Sequence, residues 1–133
     1  MLPSFAKILT DEGYMLVSEI SPGDKVYADA SNLTVVTKKT LIGEAQVYAY
    51  NIGGYTFIGT NDHKVVTVDL WEQQLVTDVE AAYLGKKFVV CASAEYDGAV
   101  KFTNKAFIGK YPVYKIETVA GTFITGKLVV AGE

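Results

Sequence analysis

The feature that most limits what this chain can become is the near absence of helical periodicity. Short runs of Val, Ile, Thr, Tyr and Phe are separated by Gly, Asp and Asn. Such runs suit pleated, half-buried strands, and the residues between them suit turns. Ile8-Leu9-Thr10 and Tyr14 to Val17 flank Asp11-Glu12-Gly13, the composition of a tight hairpin. Pro22-Gly23-Asp24 reads as a turn, because Pro presets φ and Gly permits a positive one. Strands are expected at Lys25 to Ala28, Leu33 to Thr37, Gln46 to Tyr50, Tyr55 to Ile58 and Lys64 to Val68. The series continues with Phe88 to Ala92, Val100 to Phe107, Val113 to Thr118, Thr122 to Ile124 and Leu128 to Val130. Gly53-Gly54 and Tyr96-Asp97-Gly98 supply further turns. Only Thr77 to Leu84 reads as a helix, with Thr77 or Asp78 as its cap and Gly85 as its stop. The expectation is an all-β fold of short, mostly antiparallel strands, built as a single domain over residues 1–133.

Charge and composition exclude several function classes. The formal net charge is -3, and all 12 basic residues are Lys. A chain without Arg and without a basic surplus is not expected to grip phosphates or read bases, so no nucleic-acid partner is predicted. No apolar run reaches the ~18 residues of a membrane helix, and Met1-Leu2-Pro3-Ser4 does not open a secretory leader. A cytoplasmic or virion location is the expectation. One Cys and one His cannot form a disulfide or close a zinc site, so no metal and no cofactor are expected. Cys91, between Val90 and Ala92, reads as a small buried hydrophobe. Nine Tyr, six Phe and one Trp are many for this length, so either the core is aromatic or apolar surface is kept for a partner. The partner expected is another structural protein or the chain itself, as a homo-oligomer. Val100 to Phe107 and Val113 to Thr118, poor in charge, are the expected contact strands, and Lys38-Lys39 and Lys86-Lys87 are expected to guard other edges.

Two segments are alike. Val17 to Val26 and Val79 to Phe88 each run through a polar turn to Gly, then Lys, then a hydrophobic strand. Similarity of this kind predicts two copies of one β-subdomain about a pseudo-two-fold axis.

Three blocks then follow one another in order. Ser4 to Thr10, continuing through Ser18 to Val26, resembles the opening block of inteins and hedgehog-type autoprocessing domains, the Hint superfamily. Gly59-Thr60-Asn61-Asp62-His63-Lys64-Val65-Val66-Thr67 resembles its Thr-x-x-His block. Val113 to Thr118 with Gly121 to Val129 resembles its closing block. The resemblance spans nearly the whole chain and leaves no room for an endonuclease insertion. It implies a horseshoe-like fold whose two ends meet at a central site. It also implies a chemistry. A Cys or Ser at the first position attacks the preceding carbonyl, and the Thr-x-x-His block polarises that bond. A nucleophile beyond the domain accepts the acyl group, and a terminal Asn, assisted by the His before it, cyclises.

Matched residue by residue, the resemblance puts Ser4 at the first position, where its hydroxyl would attack the Pro3 carbonyl, with Thr60 and His63 as activators. At the other end Val130 falls where the assisting His belongs, Ala131 where the Asn belongs and Gly132 where the acceptor belongs. None of those side chains can perform its step, so splicing is excluded. Met1 lies three residues before the expected junction and the chain stops soon after the other, leaving little to ligate. The expectation is therefore a splicing-defective domain acting as a structural or interaction module, in a phage or another assembly. The alternative is an autoprocessing domain keeping at most N-terminal cleavage at Pro3–Ser4 through Ser4, Thr60 and His63. The plainer readings stand beside these: His63 as a locally bonded strand-edge residue, Thr60 as an ordinary cap, Ser4 as an ordinary N-terminal residue. A hydrolase lacks a nucleophile elbow around any serine, and a small-molecule binder lacks a convergent polar cluster.

Overall fold

The computed structural model describes residues 1–52, 55–68, 74–90 and 99–131. Cys91, Gly132 and the turns expected at Gly53-Gly54 and Tyr96-Asp97-Gly98 lie outside the described residues. The strands are β1 (Leu2–Pro3), β2 (Lys7–Thr10), β3 (Gly13–Leu16), β4 (Lys25–Tyr27), β5 (Leu33–Ile52), β6 (Tyr55–Gly59) and β7 (Lys64–Val68). They continue as β8 (Gln74–Asp78), β9 (Phe88–Val90), β10 (Ala99–Lys101), β11 (Asn104–Thr118), β12 (Thr122–Thr125) and β13 (Leu128–Ala131). One helix, α1, covers Val79–Leu84, inside the segment expected to be helical, and a 3-10 turn covers Val17–Glu19. No helix among the described residues is long and apolar enough to cross a membrane.

The strands form one antiparallel sheet in the order β1-β11-β5-β4-β2-β12-β13-β7-β9-β10, with β3 added to β2, β6 to β5 and β8 to β7. Its spine is the long β5–β11 ladder, which runs from Asn104 opposite Asn51 to Thr118 opposite Val36. Sequence reading ends the first half of β5 at Thr37 and restarts at Gln46. The ladder overrides that gap, because every residue from Lys38 to Ala45 that pairs does so with β11. Register shifts at Phe107/Gly109, Val113/Tyr114 and Glu117/Thr118 let so long a ribbon twist and bend.

The hairpin around Asp11-Glu12 forms as expected. Thr10 pairs with Gly13, Thr10 Oγ1 donates to the Gly13 carbonyl at 2.6 Å, and Glu12 N–H donates back to Thr10 Oγ1 at 3.1 Å. The two similar segments also fold alike. Val17–Glu19 and α1 are each a short helical stretch that passes a glycine into a strand, β4 and β9 respectively. Val17 and Val79, equivalent in the comparison, are both fully buried.

One apolar cluster joins the sheet to both helical stretches. Leu2, Ile8, Val17, Ile20, Tyr50, Ile52, Phe57, Val79, Phe123 and Leu128 belong to it. Burying a Phe or Leu side chain stabilises by ~1.5–3 kcal/mol each, so the aromatic core accounts for part of the aromatic excess. Tyr50 sits at its centre, ring to ring with Phe57, Tyr83 and Phe102. Of the stretches expected as contact strands, Val113 to Thr118 buries Val113 and Ile116, whereas Phe107 stays 60% exposed.

Candidate functional site

The site is built where β6 ends and β7 begins. Gly59 closes β6 against the amino end of the chain. A Cβ there would stand 2.7 Å from the Phe57 ring and 3.0 Å from the Met1 carbonyl oxygen, so only glycine lets the two segments approach. Thr60 N–H then donates to that Met1 carbonyl at 3.0 Å. A turn follows, closed by His63 N–H to the Thr60 carbonyl at 3.3 Å, and it brings both side chains onto one atom.

That atom is the amino nitrogen of Met1. It lies 3.0 Å from Thr60 Oγ1 and 2.6 Å from His63 Nδ1. Thr60 Oγ1 donates its hydrogen bond to Asp62 Oδ1 at 2.6 Å, which leaves its lone pairs to accept from Met1. Residue 1 is thus held at two points by Thr60, its nitrogen by the side chain and its carbonyl by the backbone. α1 locks the turn from behind, since Val79 N–H donates to the His63 carbonyl at 2.8 Å and Glu80 N–H to the Asn61 carbonyl at 3.2 Å.

His63 is 3% exposed, between the rings of Phe57 and Phe123. Burial first, and then the positive amino terminus, hold its imidazole well below the usual histidine range, with the Ala131 backbone opposing them. A neutral ring that accepts at Nδ1 carries its proton on Nε2. Nε2 is buried and has no hydrogen-bond partner among the described residues. Met1 meets the ring at Nδ1, and β13 comes to the same region, where Val130 pairs with Val65, two residues after His63. The expected meeting of the ends holds.

The sequence-derived assignments divide here. Thr60 and His63 come together on the Met1 nitrogen. Ser4 does not join them: Thr60 and His63 address Met1, three residues earlier, while Ser4 lies in a turn whose carbonyl accepts from Ser18 N–H at 3.1 Å. The cause is β1, which pairs Leu2 with Tyr114 and Pro3 with Val113 and so seats residue 1 against Thr60. At the closing end Val130 is fully buried and pairs with Val65. Sequence reading does not single out Asp62, though two residues after Thr60 a carboxylate is placed to accept a hydrogen bond from its hydroxyl. Nor does it single out a second polar group behind the site. The fully buried Tyr50 donates its hydroxyl to Glu80 Oε2, and Glu80 Oε1 pairs with Lys105 Nζ at 2.5 Å.

Chemically, the arrangement grips the nitrogen of residue 1 and sets a neutral imidazole against it. Through the Nδ1 lone pair it can accept a proton from that nitrogen. The side chain carried by residue 1 is a thioether, with no ionisable proton to give up as a nucleophile.

No family model matches the chain, and no curated protein matches it in sequence. Solved structures do match. A DnaB intein from Synechocystis sp. PCC 6803 superposes with a TM-score of 0.84 at 12% identity, over 99% of this chain and 97% of that one. The MchDnaB-1 intein gives 0.77 at 15% identity over 98% and 99%, and the gp41-1 intein 0.77 at 13% over 98% and 96%. At such identities the likeness is one of fold, and it extends from end to end. The chain has the fold of an intein-type Hint domain.

Proposed function

We propose that this chain is an intein-type domain that does not splice and serves as a structural or interaction module in a larger assembly, such as a phage particle. The observation that carries the reading is the residue gripped by Thr60 and His63, which is Met1. In the superfamily the chain resembles, that position attacks the preceding carbonyl through Cys or Ser. A methionine thioether cannot form the neutral ester or thioester that the next step needs. The closing block supports the same reading, with Val130 and Ala131 in place of side chains that act.

The test is to place a short peptide ahead of Met1 and incubate at neutral pH with dithiothreitol or hydroxylamine, following the mass. The expected result is an intact chain. Release of the peptide, or of a fragment starting at Ser4, overturns the reading if His63→Ala abolishes it.

One observation favours the alternative of residual N-terminal cleavage chemistry. Thr60, Asp62 and His63 are hydrogen-bonded around the nitrogen in an activating arrangement although residue 1 lacks the nucleophile. Met1→Cys separates the two. Under the alternative, that variant releases the peptide with thiol while the Met1 chain does not. Under a purely structural role, neither does.

A further inference from the structure

On the surface formed by β2, β3, β6 and the β12–β13 turn, a cleft of about 310 Å³ is walled by Phe5, Tyr14, Tyr55 and Ile58 and flanked by Lys7 and Lys127. No carboxylate lines it among the described residues, although the chain carries 15 acidic residues and a net charge of -3. Among the described residues, neither lysine pairs with a carboxylate. The cleft is therefore a local cationic, aromatic site on an acidic protein.

Its construction is rigid. Thr125 Oγ1 donates to the Lys7 carbonyl at 2.6 Å and ties β12 to β2. Phe5 packs edge-on against Tyr111 at 5.0 Å. The β12–β13 turn is the unusual part. Gly126 and Lys127 have φ of 55° and 61°, the pattern of a two-residue hairpin turn that favours Asn and Gly at both places. A Cβ at Gly126 would meet the Thr56 carbonyl oxygen at 2.0 Å, so glycine is obligatory there. Lys127 is not the residue such a turn prefers. It holds its ammonium over the Tyr55 ring, 4.6 Å from the centroid, at the mouth of the cleft. A non-glycine residue at positive φ beside the cleft directs attention to what its side chain does there.

We infer that this cleft docks an extended acidic segment of a partner protein, with an aromatic side chain against Tyr14 and Tyr55 and flanking carboxylates on Lys7 and Lys127. Charge complementarity chooses an acidic occupant. At 310 Å³ the cleft is at the small end of ligand sites, and exposed Phe5 and Tyr14 suit one inserted side chain better than an enclosed molecule. This deepens the interaction reading above by naming its surface and the chemistry of its partner.

The test measures fluorescence anisotropy with a labelled Asp-Glu-Phe-Glu-Asp peptide on the full chain. Controls replace the Phe by Ala, or the acids by lysines. The expected result is saturable binding in the range of about 10–100 μM, with each control at least about tenfold weaker and with weakening at high salt. Lys127→Glu and Lys7→Glu lower affinity by a similar factor. Lys127→Gly, which suits the turn, also loses affinity while keeping the fold, and so separates docking from folding. Absence of saturable binding, equal binding of the lysine peptide, or indifference to the lysine variants overturns the inference. A chain that stays whole in the cleavage test but ignores the peptide defeats this inference alone. A chain that cleaves itself yet binds the peptide defeats the non-splicing reading alone.

Discussion

His63 Nδ1 stands 2.6 Å from the amino nitrogen of Met1, in a pocket where the imidazole is 3% exposed. The ring must accept from the ammonium, so its protonation both buries a charge and sets two cations together. The folded-state pKa is depressed well below 6.5, by burial first and the amino terminus second. The unfolded chain therefore binds a proton that the folded chain refuses. Stability from this group is complete above about pH 6.5 and falls below it by ~1.4 kcal/mol per pH unit until the folded pKa is reached. Urea unfolding at a series of pH values between neutral and acidic measures the slope. In His63→Gln this contribution vanishes and the curve flattens. An identical slope in the variant would assign the effect to other groups.

Behind the site, Tyr50 and Glu80 give a second prediction. Burial, then the hydrogen bond to Glu80, push the Tyr50 phenol well up, so it remains a donor. Burial pushes Glu80 up too, but hydrogen bonds from Lys105 and Tyr50 outweigh it, and the carboxyl ends below its ordinary value. Glu80→Ala leaves a buried phenol without an acceptor and costs ~1–3 kcal/mol. Tyr50→Phe removes only the donor and costs ~1 kcal/mol, with Lys105 still serving Glu80. The order of the two denaturation midpoints checks the assignment; a costlier Tyr50→Phe contradicts it.

Three turn residues should respond differently to substitution. Gly126→Ala collides with the Thr56 backbone and adopts an unfavourable φ, so loss of ~3 kcal/mol or more is expected. At Gly13, with φ of 106° but no atom within 4 Å of the added Cβ, alanine brings strain without collision, for ~1–2 kcal/mol. Lys127→Gly relieves strain and stabilises by about 1 kcal/mol, raising the Tm by a few degrees. A destabilised Lys127→Gly would mean that the lysine stem over Tyr55 is needed for folding.

Much of the fold was legible because strand and turn composition is local. The Asp11-Glu12-Gly13 hairpin and the helix through Val79–Leu84 are set by residues close in sequence. The long β5 was not legible as one strand, since Lys38-Lys39 and Gly43-Glu44 interrupt its apolar and β-branched residues, and the ladder with β11 carries the strand across them. Lys39 illustrates the same point. It reads as an edge guard, yet its ammonium donates to the Ile20 carbonyl at 3.0 Å and covers the Tyr114 ring. At the site, the Thr60 and His63 pair was readable as a motif. Ser4 carries the hydroxyl the chemistry asks for, whereas the geometry depends on which residue the two-residue β1 delivers. Nothing in the composition of Leu2-Pro3 announces a strand that short.

The last prediction, on association, rests on the same ribbon. Between the segments paired with β4 and β6, the stretch of β5 from Lys38 to Val47 pairs only with β11 among the described residues, which leaves its other edge open. Leu41 is 59% exposed there and Ile42 50%, and on β11 Phe107, opposite Tyr48, is 60% exposed. An open edge beside exposed apolar side chains invites pairing with another chain, and Lys39 is turned to other work. Under the proposed structural role, the purified chain should run as a homo-oligomer on size exclusion with light scattering, above the 14.4 kDa of one copy. Leu41→Lys with Ile42→Lys should shift it to the monomer with the thermal midpoint little changed, because both side chains already face solvent. Phe107→Lys should act in the same direction more weakly, since Phe107 also packs against Tyr48 at 5.6 Å. A 14.4 kDa species at every concentration, unaltered by these substitutions, would remove self-association from the proposal and leave the acidic-peptide cleft as the surface through which the domain meets a partner.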